Sequence, residues 1–179
     1  MYAIHTEALA ISVLGQAPAR LGAAYAWHPL SPRSVDREKL MNPIEVNEKN
    51  VLAAERMLAT DTPIAMLNLV TFNPVAMYDD PSVEVCTGRE AYLQRYAPAF
   101  REVAAAENVG GISVLYLGSV AASIVAPPDQ HWDAIALVRY PSFAALRKVI
   151  ESPLYKVKAE PHRKAALRAW QFIVTIQSH

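Results

Sequence analysis

The chain has 179 residues, of which 53% are hydrophobic. That is enough for one sizeable core and excludes disorder by composition. Seventeen basic and seventeen acidic residues cancel, and no Lys/Arg run gives the footprint of a nucleic-acid or membrane-surface binder. The single cysteine, Cys86, excludes an internal disulfide and a cysteine-rich metal site, and it fits a reducing, cytoplasmic compartment.

Residues 1–40 read as an N-terminal extension, interrupted by Pro18, Pro29 and Pro32. Two readings stand: an arm that packs on a partner subunit, or a segment upstream of a natural start at Met41. Ala8–Ala19 has the small apolar character of a secretory core, but Glu7 stands where a positive leader belongs, so secretion is not expected. No apolar run approaches the roughly 20 residues of a membrane span. A domain of residues 41–179 then opens with a helix at about 43–59. Asn42 is its expected N-cap, Pro43 its first residue and Glu45 its N3 acid.

Between Pro63 and Gln177 the order reads β-α-β-β-α-β. The first strand, about Ile64–Phe72, is apolar on both faces: Ile64, Met66, Val70 and Phe72 on one, Ala65, Leu67 and Leu69 on the other. A long loop, 73–88, is rich in turn formers, and loops of that length often bind or cover ligands. The first helix spans about 89–107, with Tyr92, Tyr96, Phe100 and Val103 on its buried face and a kink or break expected near Pro98. Strand two reads as Ile112–Ala126 with a bulge at Gly118, followed by a turn at Pro127-Pro128-Asp129 and strand three at Trp132–Tyr140.

Ser142 caps the second helix, whose Phe143, Leu146, Val149 and Ile150 face inward. Ser152-Pro153 breaks it. A further helical stretch covers about 154–168, interrupted at Pro161, and strand four reads as Trp170–Gln177. The simplest assembly is an α+β, ferredoxin-like unit: a four-stranded antiparallel sheet with helices on one face. Its other face would be too apolar for water, so a homodimer through that face is expected.

Particular residues carry a resemblance. They are Met66-Leu67-Asn68-Leu69, Tyr92 with Tyr96, Gly111 and Tyr116-Leu117-Gly118. Trp132-Asp133, Val138-Arg139-Tyr140-Pro141-Ser142, Ser152-Pro153-Leu154-Tyr155 and His162-Arg163-Lys164-Ala165-Ala166-Leu167 complete the set. Over about residues 42–176 the chain resembles the dimeric α+β barrel superfamily, and within it the "domain of unknown function thirteen-thirty" family. The resemblance implies a ferredoxin-like protomer whose sheet closes a barrel with a second copy. It implies no single activity: related branches include cofactor-free monooxygenases, polyketide cyclases, muconolactone isomerases, haem-binding proteins and stress-response proteins.

Candidate site residues follow from their chemistry. Asn68 is polar in the middle of an apolar strand, where its amide either orients a ligand carbonyl or bonds its neighbours. His162 can exchange protons near neutral pH and Arg163 can clamp a carboxylate; both can equally anchor the last helix. Asn68, His162 and Arg163 are the expected catalytic group. Tyr92, Tyr96 and Tyr155 are expected to line a ligand pocket with Trp132 as a wall, the alternative being simple core packing. No zinc-ligand spacing, phosphate-cradling glycine loop or nucleophile elbow is present, so no metal or cofactor is expected.

Two function classes remain open. One is a small-molecule binder, or a cofactor-free enzyme of isomerase, cyclase or monooxygenase type, acting on an apolar carbonyl or acidic compound. The other is a non-catalytic binding or assembly module, with haem binding through His162 as a further alternative.

Overall fold

The computed structural model describes residues 44–128 and 130–177. The extension of residues 1–40, the Asn42-Pro43 helix start and Asp129 of the expected turn lie outside the described residues. Helix α1 spans Glu48–Met57, and its cap is Asn47, whose side chain accepts the Asn50 N–H at 3.2 Å. It therefore starts later than Pro43. Ile44 is kept out of the helix by tertiary contacts: its side chain packs on the Val70–Trp170 cluster, and its carbonyl accepts from Arg163 Nη1.

The strands are β1 (Ile64–Phe72), β2 (Ser113–Ser119), β3 (Ala134–Tyr140) and β4 (Leu167–Thr175). They form one sheet in the order β2-β3-β1-β4, and every pair is antiparallel. This is the ferredoxin-like α+β arrangement. Ile64, Met66, Asn68 and Val70 of β1 are buried on the helix-covered side, while Ala65, Leu67 and Leu69 alternate to the other. The pattern slips at Phe72, where a register shift against β4 separates Thr71 from Phe72.

The edge strand β2 is shorter than expected and ends at Ser119, not Ala126. Its bulge lies between Val114 and Tyr116 and not at Gly118. Gly118 has a different cause: the Tyr116 phenol folds over it, and a Cβ there would meet the phenol oxygen at 2.3 Å. Strand β3 begins at Ala134 because Asp133 serves the preceding loop. Its carboxylate accepts the Phe72 N–H at 2.7 Å and pairs with His131 Nε2 at 2.9 Å.

Helix α2 runs in three parts: Gly88–Glu90, a π-helical turn Ala91–Tyr96, and Ala97–Ala106. A capping box between Thr87 and Glu90 starts it. The irregularity expected at Pro98 takes the form of the π turn just before it, where the Ala97 N–H reaches back to the Tyr92 carbonyl. Proline has no N–H to give, so a wider turn there sacrifices little.

Helix α3 (Phe143–Ile150) is capped by Ser142 and buries Phe143, Leu146 and Val149. Helices α4 (Pro153–Lys158) and α5 (Glu160–Ala166) follow. They part at Ala159, so Pro161 sits in the first turn of α5, where a missing donor costs nothing. Strand β4 begins directly at Leu167, three residues earlier than expected. Among the described residues no helix is long and apolar enough to cross a membrane.

Candidate functional site

A cavity of about 360 Å³ lies between the sheet and α2. That is within the range of small-molecule pockets. Its sheet wall carries Asn68, Ala136, Val138, Trp170 and Phe172; its helical wall carries Tyr92, Tyr96, Phe100 and Tyr155. The π turn positions this helical wall. Tyr92, Tyr96 and Phe100 step four residues at a time along one side, with ring centroids 5.0 and 6.0 Å apart.

The cavity opens along β2. Arg101, Ala105, Gly110, Gly111, Val114 and Leu117 line it and are exposed, so they form its rim. Val114 and Leu117 point to the helical side of the sheet, but α2 does not close over them.

Asn68 reaches the cavity with its hydrogen bonds arranged. The Trp170 indole N–H donates to its Oδ1 at 3.1 Å. Because an indole N–H can only donate, this contact fixes which way the amide points. Asn68 Nδ2 then donates to the Met66 carbonyl at 3.3 Å and the Ala136 carbonyl at 3.4 Å. Both bonds lie beyond the usual N–H···O length, so a ligand carbonyl could compete for that NH₂ group.

Burial pushes the Tyr92, Tyr96 and Tyr140 phenols well above their ordinary pKa of 10.0, and neighbouring tyrosines add to it. All three are neutral across the physiological range and act as donors, not as bases. Tyr155 is almost fully buried and receives a bond from Arg163 Nε at 3.1 Å.

The other three expected site residues stand outside the cavity wall. Arg163 is completely buried. Besides Tyr155 and Ile44, it reaches Glu160 at 3.2 Å, and its guanidinium lies 4.6 Å above the Trp170 ring. His162 is half-buried on α5, with Nδ1 2.9 Å from the Tyr78 hydroxyl. Desolvation, then the Arg95 charge, lowers its pKa. It thus belongs with the loop 73–87, not with Asn68. Trp132 precedes β3 and is half-buried there.

That loop is pinned at its neck. Asn73 N donates to the Ala166 carbonyl, its Nδ2 to Ala165, and Gly88 N to the Asn73 carbonyl, all within 3.0 Å. Three residues that matter here escaped the sequence reading: Asn73, Trp170 as a site residue, and Arg101. Trp170 has a sequence signal, a large aromatic in an apolar strand, whereas Arg101 looks like any charge on a solvated helix face. Among the described residues no group of three His, Cys, Asp or Glu side chains could hold a metal ion.

Fold and cavity together define a ferredoxin-like α+β protein with an internal aromatic pocket. No family model and no curated protein matches the chain. Among solved structures it is similar to the RPA0582 protein of unknown function from Rhodopseudomonas palustris. The two are 32% identical with a TM-score of 0.64, over 77% of this chain and 98% of that one. A methylated form of RPA0582 gives 31% identity and a TM-score of 0.61, over 77% and 96%. The chain belongs to the same family as RPA0582, a family of uncharacterised function.

Proposed function

We propose that the protein binds a small, mainly apolar organic compound in the cavity between α2 and the sheet. The observation that carries the reading is the composition of the wall: an aromatic enclosure with only a few hydrogen-bonding groups, the usual make-up of a ligand pocket. Tyr92 and Tyr96 supply neutral donors, and Asn68 supplies an NH₂ group on long bonds. Such a set suits a ligand carbonyl and would polarise it. Of the expected catalytic group only Asn68 lines this cavity, so recognition, not proton transfer by His162, is the role the geometry favours. A cytoplasmic setting, expected from the lone Cys86, is part of the same reading.

The working form is proposed to be a homodimer, as in the dimeric α+β barrel superfamily that the sequence resembles. The support is the sheet face turned away from the helices. Leu67 and Leu69 of β1 share it with Ile135 and Leu137 of β3, Tyr116 of β2 and Ile173 of β4. Tyr116 and Ile173 are more than two-fifths exposed. A contiguous apolar face of that kind is the sort of surface that marks an interaction site.

Native mass spectrometry of the purified protein tests both parts. The expected result is a dimer carrying a non-covalent adduct that is lost on unfolding. Tyr96→Trp, which fills the cavity, should lose the adduct and keep the dimer. An adduct that survives Tyr96→Trp argues against the pocket; a monomer at micromolar concentration in light scattering argues against the dimer.

A further inference from the structure

We infer that the ligand is a carboxylate, and that Arg101 at the mouth of the cavity holds its charged end. This rests on the cavity being the binding site and names the class of compound it takes.

Arg101 is the one charged side chain among the described residues lining the cavity. It lies on the last part of α2, one turn beyond Tyr96 and Ala97, and it is exposed at the rim while the aromatic wall lies deeper. Several other cations of the fold face carboxylates: Lys158 faces Glu102, Lys164 faces Glu45 and Glu160, and Arg147 faces Glu55 and Glu151. Among the described residues Arg101 pairs with no carboxylate. A guanidinium held beside an apolar recess without a partner is a receptor for a planar anion, which it meets with two parallel N–H donors.

The backbone next to it has the same polarity. Gly110 and Gly111 border the mouth, and among the described residues neither N–H donates to a protein acceptor. Gly111 adopts φ +73, in the left-handed region that glycine favours. Nothing lies within 4 Å of where a Gly110 side chain would begin, so the space beside Gly110 is open. A molecule with an apolar body in the cavity and a carboxylate at its outer end would meet Arg101 and these two donors together. A neutral molecule of the same shape would leave all three to water.

The test compares matched pairs in calorimetric titrations at pH 7: benzoate, 2-naphthoate and 4-phenylbutyrate against their carboxamides. The acid is expected to bind roughly fivefold more tightly than the amide, a modest ratio because Arg101 is exposed. The preference should shrink as salt is added. Arg101→Gln should abolish the preference, and Arg101→Lys should restore part of it. Equal binding of acid and amide by the natural protein, or a preference that persists in Arg101→Gln, overturns the assignment while leaving the pocket intact. Failure of every acid and amide to bind overturns the pocket and the anchor together.

Discussion

Trp170 ties Asn68 to Arg163: its indole N–H donates to the Asn68 oxygen at 3.1 Å, while its ring lies 4.6 Å under the Arg163 guanidinium. A polar residue in the middle of β1 is thereby satisfied from β4, and the cavity floor is fixed by a buried network. Asn68→Leu leaves the indole N–H without an acceptor in an apolar wall. A loss of about 1–3 kcal/mol is expected, read as a lower urea midpoint with unchanged slope. Trp170→Phe in the same background should cost much less than it does alone, since the orphaned donor is then gone. Additive losses would show that the two side chains are not coupled.

Arg163 is the hub of the last helix. Its four contacts reach Tyr155 on α4, Ile44 ahead of α1, Glu160 on its own helix and Trp170 on β4. Arg163→Lys keeps the charge but replaces a planar fork by a single point, which cannot serve those directions at once. It should lower stability by about 2 kcal/mol, or roughly 4–8 °C in a thermal melt of a chain this size. A melt unchanged within a degree would mean that the fork geometry contributes nothing.

Much of this was readable from the order and period of apolar residues. Ile64–Phe72 announces itself because alternation and length agree, and Ser142 is visible as a cap because it precedes an apolar helical stripe. Positions decided by distant partners were not readable. The cap at Asn47 was not readable, because Ile44 is held elsewhere by Arg163. Asp133 was lost from strand β3 to a bond with Phe72, 61 residues away. Of the candidate residues, Asn68 and Arg163 are buried polar groups. Which of them share a cavity depends on where α5 points, and no local spacing encodes that.

The buried tyrosines predict alkaline behaviour. Tyr92, Tyr96 and Tyr140 are held above the ordinary 10.0 chiefly by burial, so the native state keeps protons that the unfolded chain releases. Their stabilising protonation is complete below pH 10 and is lost as pH rises past it toward their folded values. In a titration followed at 295 nm, at least three of the eight tyrosines should ionise only as the protein unfolds. A smooth, reversible titration of all eight with the fold intact would contradict the buried wall.

Two glycines give opposite expectations. At Gly88 a Cβ would meet the Ala166 and Asn73 carbonyl oxygens at 2.4 and 2.5 Å, and backbone cannot step aside there. Gly88→Ala should therefore cost about 3 kcal/mol and open the neck of the 73–87 loop. Gly110→Ala meets nothing within 4 Å and should be near neutral. Equal denaturation midpoints for the two variants would show that the loop neck is not closely packed.

The loop itself should respond to acid through His162. Desolvation, with the Arg95 charge behind it, lowers the His162 pKa below its ordinary 6.5, so the folded state prefers the neutral ring. Neutral His162 favours folding fully above pH 6.5. That contribution is lost as pH falls from there through the folded value, because the unfolded chain takes up the proton first. The ring meets the Tyr78 hydroxyl at 2.9 Å, and Ala76 and Met77 donate to the Cys86 and Ala165 carbonyls nearby. Protonation therefore loads charge onto the segment that pins the loop to α5. Amide exchange at Ala76 and Met77 should accelerate below pH 6.5, after correction for the intrinsic rate, while β1 amides stay unchanged. His162→Gln, which cannot titrate, should flatten that dependence. If the acceleration is the same in His162→Gln, the pH response arises elsewhere and His162 has no part in holding the loop.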